Sequence, residues 1–584
     1  MNLLEGNGKM MSGEKSNVAQ IRSLLPRDWK KDVLFFALCA VVAALTLLEP
    51  LILSKLIEGA VSSAENFRTE LIFLSCAVFL LRIGLGFCKD TWILRARTKA
   101  IQAMTEKMFA DSLTGTMETH KRWAPAYLAS RILDEATNLD GILNCFLIDS
   151  GISILICLGI LLLMGLQNWL IALLTVLFIA VDYVVAFRLP LTKVYKGYSE
   201  SLAKARSQTV DVINGITQIK LGNCYGKEQG LFSKRVSKWT EATYQKSLFS
   251  TLQRATGSMC RQFGYLILIV VSAVLIAAGR LHLGQLTLLI SAYQLIWSHA
   301  VTAENIIPMY RYGKAACDRM MEVLSAEKEA GTEGRAGEEM RKIQNVQFDG
   351  VTFSYDGDSK VLDRMSFQAE QGEITCLAGE SGCGKSTAFS LLLGFYGQDA
   401  GAIKVNGVGV SKGELVMLRP QIGYVWQNSF LFDRSVRDNM LYYVEDTPEN
   451  LARLQKYIDL FSLREMIEQL PDGLDSFLGD NACTVSGGER QRLCLIRELM
   501  KKPDILLLDE CTSQLDTAIE SKVFQAIRKL LPELVVIQIA HKESALAFSD
   551  KIYVVENGRV CDRGTHDELR SRSERYRYLL QSHD

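Results

Sequence analysis

Apolar residues divide the chain into two parts with different spacing. Before residue 310, six apolar runs approach the length of about 20 residues that a helix needs to cross a bilayer. The runs are Val33–Ile57, Leu71–Cys88, Ile142–Leu166, Trp169–Phe187, Phe263–Ala278 and Leu286–Ile306. A soluble bundle built from these helices would have little polar surface. The pattern therefore predicts six membrane-spanning helices.

The connections between these runs alternate between long basic segments and short ones. The short connections contain only Arg68 and Arg280 as basic residues, whereas Lys and Arg recur through the long connections after the second and fourth runs. Because cytoplasmic segments are enriched in Lys and Arg, we expect the long connections and both termini on the cytoplasmic side. No cleavable signal peptide is evident, and Ile21–Lys31 is typical of an amphipathic helix lying on the membrane.

The second part of the chain alternates short apolar runs with helical patterns, which predicts an α/β domain. The apolar runs are Ile374–Leu377, Ile422–Val425, Ile505–Leu508, Val535–Ile539 and Ile552–Val555. A linker rich in Glu, Gly and Ala precedes them. We therefore expect an N-terminal cytoplasmic segment at 1–32, a transmembrane domain at 33–322, a linker at 323–342 and a cytosolic domain at 343–584.

A glycine-rich loop follows the first of these strands and matches G-x-x-x-x-G-K-[ST]. It reads Gly379-Glu380-Ser381-Gly382-Cys383-Gly384-Lys385-Ser386, and Thr387 begins the next helical run. Glycines allow successive backbone N–H groups to surround phosphates, and the helix N-terminus adds its dipole. The motif indicates nucleotide binding, with Lys385 for the β- and γ-phosphates and the Ser386 hydroxyl for Mg²⁺. We read Cys383 as a small packing residue.

Two acidic residues end the apolar run Ile505–Leu508. Asp509 is suited to the Mg²⁺ shell and Glu510 to polarising an attacking water. Alone, such a pair is most often a solvated strand end. The motifs between Lys385 and Asp509 favour the catalytic interpretation.

Those motifs resemble the ABC transporter superfamily. Val485-Ser486-Gly487-Gly488-Glu489 is similar to its signature sequence, and the stretch from Leu508 to Asp516 is similar to its Walker B motif and D-loop. Tyr355, Gln427 and His541 match the adenine-stacking aromatic, the Q-loop glutamine and the switch histidine. With six runs before one nucleotide domain, the whole chain resembles an exporter-type half-transporter.

The resemblance implies a fold, an activity and a set of site residues. The fold is a helical six-span transmembrane domain joined to a P-loop ABC ATPase domain, in which two copies sandwich two ATP molecules head to tail. In this family Glu510, His541 and Gln427 serve catalysis, and Ser386, Gln427 and Asp509 hold Mg²⁺. The residues that bind ATP are then Tyr355, Gly379, Glu380, Ser381, Gly382, Cys383, Gly384, Lys385, Ser386, Thr387, Ser486, Gly487, Gly488 and Asp516.

Three positions depart from the family pattern. Val485 and Glu489 replace the usual Leu and Gln of the signature, and Asp480 occupies a position where relatives commonly have Glu. The phosphate-facing positions are kept, so we expect a competent site. Because Glu510 and His541 are present, we expect a homodimer; a heterodimer with a second half-transporter stays open.

The long cytoplasmic connections are expected to end in coupling helices that dock on the nucleotide domain. By position these tips fall near Thr119–Tyr127 and Gly222–Gln229, with Trp123 and Tyr225 expected to be buried there. Ionisable residues within the spans are candidates for contact with the transported molecule. They are Glu49, Asp149, Asp182, His299 and Glu304.

Composition narrows the partners. Lys and Arg total 65 against 65 Asp and Glu, so the formal net charge is zero and a nucleic-acid partner is not expected. The 14 cysteines show no paired spacing, which argues against a disulfide framework. We expect an ATP-driven exporter that lies in the cell membrane in contact with membrane lipid and moves a peptide, drug or lipid out of the cytoplasm. An importer of a metal chelate and an ATP-binding channel regulator are the alternatives.

Overall fold

The computed structural model describes residues 20, 29–62, 69–123, 125–138, 149–304, 306–329, 342–357, 359–427, 429–478, 485–512, 515 and 517–581. The chain forms two compact units. The first comprises Met1–Leu113 with Pro125–Ser325, and the second comprises Thr114–Ala124 with Ala326–Asp584.

The described part of the first unit is helical. The helices before residue 325 are α1 (Trp29–Ser62), α2 (Thr69–Leu113), α3 (Met117–Arg122), α4 (Pro125–Asn138), α5 (Asp149–Gln167), α6 (Trp169–Arg188), α7 (Leu191–Asn214), α8 (Ile216–Leu221), α9 (Tyr225–Ala277), α10 (Leu283–Glu304) and α11 (Ile306–Leu324). Of these, α3 belongs to the second unit.

Each predicted apolar run falls on helix wherever it is described. Within the described residues, α1, α2, α6 and α9 are long and apolar enough to cross a membrane, and α5 has a shorter apolar stretch, Ser153–Gln167. Helix α10 covers most of the sixth run and, with 22 residues, is long enough, but its apolar stretch is less apolar than those of the four helices. The start of the third run, residues 142–148, and most of the expected interfacial helix, residues 21–28, lie outside the described residues.

Aromatic residues of α10 form the centre of the first unit. Tyr293 and Trp297 are fully buried there, and the Tyr293 hydroxyl donates a hydrogen bond to the Arg261 carbonyl (2.9 Å). At Gly264 a Cβ would lie 2.3 Å from the Tyr293 oxygen, so glycine is what lets α9 approach α10. The α5–α6 hairpin is equally tight, because Asn168 alone separates the helices and caps α6 with its side-chain oxygen.

The second unit contains two larger sheets. Strands β1 (Asn345–Ser354), β2 (Lys360–Glu370), β4 (Ala400–Val405) and β5 (Val408–Val410) form an antiparallel sheet in the order β2-β1-β4-β5. Strands β3 (Ile374–Ala378), β6 (Ile422–Val425), β9 (Ile505–Asp509), β10 (Val535–Ile539), β11 (Lys551–Glu556) and β12 (Arg559–Gly564) form the other, ordered β12-β11-β3-β10-β9-β6. All neighbours in that sheet pair in parallel except β11 and β12.

Helices surround these strands. A short pair, β7 (Arg434–Ser435) and β8 (Phe477–Leu478), completes the strands. The helices are α12 (Lys385–Leu392), α13 (Lys412–Leu418), α14 (Val436–Met440), α15 (Pro448–Leu460), α16 (Arg464–Glu468), α17 (Gly487–Met500), α18 (Thr517–Leu530), α19 (Glu543–Ala547), α20 (His566–Arg572) and α21 (Glu574–Gln581).

The central parallel strands are buried on both faces. In β9, Ile505 and Leu507 pack in one apolar cluster while Leu506 and Leu508 pack in another. Alternate residues of a strand point to opposite faces, so a strand covered on both sides is apolar at every position. This explains the continuous apolar runs, and it directs the carboxyl ends of β3, β6, β9 and β10 to one edge of the sheet.

Candidate functional site

The glycine-rich loop connects β3 to α12 in a conformation that requires glycine. Gly384 has a φ of 103° and lies directly before α12. A Cβ there would lie 2.9 Å from the Val361 carbonyl oxygen, and a Cβ at Gly379 would lie 2.3 Å from the Val555 carbonyl oxygen. Both the left-handed backbone and the close packing exclude larger residues. The loop is therefore held against β2 and β11, with its N–H groups at the start of a helix.

Lys385 is buried and bound to the loop itself. Its ammonium group donates hydrogen bonds to the carbonyl oxygens of Gly379 and Glu380, both at 2.8 Å, and lies 3.5 Å from the Cys383 sulfur. Cys383 is thus a half-buried packing residue of the loop. The lysine side chain extends along the space that the loop encloses, which is where phosphates bind in loops of this type.

Asp509 ends β9 beside this loop. It is 7% exposed and accepts a hydrogen bond from the Tyr424 hydroxyl (3.0 Å). Burial raises the pKa of the Asp509 carboxyl above its usual range, while hydrogen bonds from Tyr424 and Ser386 oppose that shift. The Ser386 hydroxyl and the Asp509 carboxylate are thus close together. Such oxygen donors are the ones that Mg²⁺ prefers, so these residues fit that ion.

Glu510, Gln427 and His541 converge from three adjacent strands, and we call them the Glu510 cluster. The Gln427 amide donates to one Glu510 carboxylate oxygen (2.7 Å), and His541 Nε2 lies 3.2 Å from the other. The three residues follow β6, β9 and β10 at the edge where ligands bind to parallel sheets. Glu510 has a φ of 50°, which a residue with a side chain rarely adopts. This strained residue in a pocket is the strongest candidate for a catalytic base.

Tyr355 belongs to an aromatic group on the antiparallel sheet. Its ring meets those of Phe353 and Tyr396 edge to face at centroid distances of 4.9 and 5.1 Å, and its hydroxyl lies 3.3 Å from the Thr387 hydroxyl. The ammonium group of Lys121 lies 5.1 Å from the Tyr355 ring centroid and 5.0 Å from that of Tyr396. A hydrogen bond to Tyr396 raises the pKa of Lys121. Tyr355 is thus an exposed ring beside the phosphate loop, suited to stacking on a base.

Lys121 reaches this ring because the segment that carries α3 is attached to the second unit. The Thr116 N–H donates to the Glu327 carbonyl (3.0 Å), and the Glu329 N–H donates to the Thr114 carbonyl (2.9 Å). Arg419 in turn binds the Glu329 carboxylate through two N–H groups at 2.6 and 3.0 Å. The tip of the first long connection therefore packs with the nucleotide domain, as expected of a coupling segment.

The signature residues form the start of α17. The Ser486 side chain accepts from the Glu489 N–H (3.3 Å), and the Glu489 carboxylate accepts from the Ser486 N–H (2.7 Å). This reciprocal capping box explains the glutamate at a position where Gln is usual, since either side chain can accept that bond. The cap borders a cavity of about 240 Å³ lined by Ser486, Gly487, Gly488, Glu489, Arg492, Leu515 and Ile519.

Several predicted residues cannot be compared with the structure. Asp516 and Asp480 lie outside the described residues, as do the side chains of Asp149 and Glu304. Tyr424, Tyr396 and Lys121 were not predicted as site residues. Tyr424 lies in the short aromatic stretch before Gln427, so its position in the sequence could have identified it. No local pattern pointed to Tyr396 or Lys121.

The two expected coupling tips differ in burial. Trp123 lies in the segment Thr114–Ala124 of the second unit and is half-buried. Tyr225 is 51% exposed, so the expectation that it is buried is wrong for the single chain. Tyr225 is the first residue of α9, after the short turn 222–224 that follows α8, and the described residues of the same chain leave its side chain exposed.

Ionisable residues of the first unit are held by polar neighbours. Arg82 Nη1 lies 3.2 Å from the Glu49 carboxylate, and His299 Nδ1 lies 3.2 Å from the Ser153 hydroxyl. Asp182 is 3% exposed. Pairing reduces the cost of a charge in an apolar environment.

Comparisons with known proteins agree with this geometry. The family model described as ABC transporter matches residues 362–513, and that described as ABC transporter transmembrane region matches residues 33–299. A "Multidrug resistance ABC transporter ATP-binding and permease protein" of Lactococcus lactis subsp. lactis (strain IL1403) is 27% identical over 97% of this chain and 95% of its own length. An "ATP-dependent lipid A-core flippase" of Dechloromonas aromatica (strain RCB) is 29% identical over 93% of each chain.

A solved structure shows the same fold over nearly the whole length. "Structure of a bacterial Atm1-family ABC exporter with ATP bound" superposes with a TM-score of 0.80 at 21% identity, covering 95% of this chain and 98% of the other. The predicted fold class and ATP-hydrolysing transport activity are confirmed, and export is favoured over import. The chain therefore belongs to the ABC transporter superfamily, as an ATP-hydrolysing half-transporter of the exporter type that dimerises with another half-transporter in a membrane.

Proposed function

We propose that this chain uses ATP to move an amphiphilic molecule out of the cytoplasm across the cell membrane. The observation that carries the proposal is the Glu510 cluster, in which Gln427 and His541 contact the carboxylate of Glu510, a residue with a strained backbone directly after β9. A regulator that only binds ATP has no need of a base held in this way. The arrangement supports turnover rather than binding alone.

We assign the two halves of the ATP site to different chains of a homodimer. One chain supplies residues 379–387 and the Glu510 cluster, and the other supplies Ser486, Gly487 and Gly488. A helix N-terminus whose capping serine can still donate its O–H suits a γ-phosphate. The cavity beside Ser486 supports this assignment, because Lys385, Asp509 and Glu510 of the same chain are not among the described residues that line it.

Hydrolysis then follows from the positions of the side chains. Lys385 exchanges its two carbonyl partners for phosphate oxygens when ATP binds, which places positive charge where the transition state gains negative charge. Glu510 accepts the proton of the attacking water, and His541 holds the Glu510 carboxylate in place. Gln427 changes its contacts when the γ-phosphate is bound. Mg²⁺ held by Ser386, Gln427 and Asp509 would neutralise phosphate charge.

The substrate is proposed from the first unit and from the relatives. The relatives named above are described as acting on multiple drugs and on lipid A, which share an apolar body with a polar end. In this chain the Glu49–Arg82 pair supplies both charges within the helical unit. Such a pair can exchange partners with a charged head group without leaving either charge alone. We favour an amphiphilic drug or peptide, and a lipid is the second candidate.

Transport in proteoliposomes tests the proposal. Vesicles would be given either a cationic amphiphilic dye in the outside solution or a short-chain fluorescent lipid in the outer leaflet, with Mg·ATP outside to address chains whose nucleotide domains face outward. We expect ATP-dependent movement of one probe into the lumen or inner leaflet, and none with Glu510→Gln. Movement in the opposite direction would support import, and equal movement without ATP would overturn the proposal.

The mass of the complex tests the homodimer. Purified Glu510→Gln protein with Mg·ATP should have the mass of two chains and two nucleotides, because ATP that is not hydrolysed keeps the halves together. A single chain at saturating nucleotide would overturn the assignment of the two half-sites. Removal of Mg²⁺ by a chelator should abolish turnover of the wild-type protein, which tests the requirement for the metal ion separately from the oligomeric state.

A further inference from the structure

A salt bridge connects the C-terminal helix to the phosphate loop. The Arg575 guanidinium, on α21, lies 3.0 Å from the Glu380 carboxylate and 3.1 Å from that of Glu556. Glu380 is the second residue of the loop, and Glu556 ends β11. One arginine therefore lies between two carboxylates at the edge of the ATP site. The proposed hydrolysis assigns no role to Arg575 or Glu556, and it includes Glu380 only as a residue of the loop.

The helix holds Arg575 in place through its other face. Tyr576 is fully buried and its hydroxyl lies 2.8 Å from His566 Nδ1, and Leu579 is buried as well. The Arg575 guanidinium also lies 5.1 Å from the ring centroid of Tyr578. Because α21 is anchored by these buried residues, less entropy is lost when its arginine forms an ion pair. The fold therefore favours the contact between Arg575 and Glu380.

Glu380 has an unusual place for a negative charge. Its backbone carbonyl accepts a hydrogen bond from the Lys385 ammonium (2.8 Å), so its carboxylate belongs to a loop that must accept the charged phosphates of ATP. Like charges at close range oppose each other even across water, and a neighbouring cation removes most of that repulsion. An uncompensated carboxylate here would weaken nucleotide binding.

We propose that Arg575 is a positioning residue for ATP binding, which neutralises Glu380 and so links the C-terminal helix to the affinity of the phosphate loop. The inference depends on ATP binding by this domain and not on the identity of the exported molecule. It extends the nucleotide site to α21, a segment outside all of the family motifs in the sequence.

Equilibrium binding of a non-hydrolysable ATP analogue to the purified full chain tests it. Arg575→Ala should weaken binding by about 3- to 10-fold, and the difference should shrink as salt is raised from low to high concentration. In turnover assays the change should appear in KM with kcat nearly unchanged. Arg577→Ala is the matched control, since Arg577 lies on the same helix and, among the described residues, donates to the backbone carbonyls of Arg570 and Ser571 rather than to a carboxylate.

A double-mutant cycle separates charge from folding. Glu380→Gln alone should bind the analogue up to about 5-fold more tightly, because it removes a negative charge and leaves Arg575 positive, and Arg575→Ala with Glu380→Gln should bind it more tightly than Arg575→Ala alone. Arg575→Lys should retain most of the affinity. Unchanged binding of the analogue in Arg575→Ala, or no recovery in the double variant, would overturn the proposal. If instead the chains bind the analogue normally but none of them, including the wild type, transports a probe, the result would count against the proposed function.

Discussion

Each chain carries two regions proposed to bind ATP, and these regions differ in how many of their side chains are already held by contacts. The first half, residues 379–387 with the Glu510 cluster, is connected internally: Lys385 binds its own loop and Glu510 has partners on two other strands. The second half, residues 485–489, is a capped helix start beside a cavity of about 240 Å³. One half is arranged before nucleotide arrives, whereas we propose that the other is completed by a second chain.

This difference separates binding from turnover. Changes in the first half should act on nucleotide already bound to a single chain. Changes in the second half should be silent until two chains close. The predictions below test that division, beginning with the largest expected effect.

Replacement of the base should have the largest effect. Glu510→Gln is nearly the same size and keeps one oxygen for Gln427, so the fold and ATP affinity should persist. Loss of a general base costs about 10²- to 10⁴-fold in rate, and we expect a fall in this range in phosphate release from Mg·ATP. Turnover equal to that of the wild type would refute the assignment of Glu510.

Mixed dimers should show that the halves come from different chains. With Glu510→Gln in one chain and Ser486→Ala in the other, both changes fall in one site and the second site is intact. With both changes in one chain and a wild-type partner, each site carries one change. We expect several-fold more ATP hydrolysis from the first mixture. Equal activities of the two tagged and purified mixtures would contradict the head-to-tail arrangement.

Ser486→Ala in both chains should lower turnover by about 10-fold, because a hydroxyl that contacts the γ-phosphate only in the closed dimer is lost. Binding of ATP to the open chain should be unchanged. Ser411→Ala is a matched control, since Ser411 caps α13 with a similar capping box formed with Glu414. If Ser411→Ala lowered turnover equally, the effect of Ser486 would be one of helix capping alone.

Glu489 should have the smallest effect. Glu489→Ala removes half of the capping box and should cost about 0.5–1 kcal/mol in the free energy of unfolding of the nucleotide domain. Glu489→Gln should be close to neutral, since glutamine can also accept from the Ser486 N–H. Denaturant unfolding measures both. A large loss in Glu489→Gln would mean that the charge itself matters in this signature.

The sequence was informative wherever function depends on local spacing. The glycines at 379, 382 and 384, Lys385, and the buried run of β9 were recognisable because a phosphate loop and a two-faced strand each demand a residue type at every position. The same holds for the apolar helices α1, α2, α6 and α9, whose length matches a bilayer.

Prediction was weaker where a contact joins distant segments. The antiparallel sheet β2-β1-β4-β5 was not predicted, since one face of β1 is only partly buried and its pairing with β2 and β4 is interrupted by register shifts. The burial expected for Tyr225 was wrong for the single chain, since apolar character alone does not decide which surface covers a residue.

Sequence alone determined that this protein has apolar helices, a phosphate loop and an acidic strand end, because each of these features depends on residues that are close together in the chain. Only the tertiary structure decided that Gln427 and Glu510, 83 residues apart, share a hydrogen bond, and that Arg575 reaches Glu380. The physical reason is the packing of the strands and helices. Parallel pairing aligns the ends of β6, β9 and β10, and Tyr576 of α21 lies in the same apolar cluster as Ile552 of β11, which brings this helix to the loop.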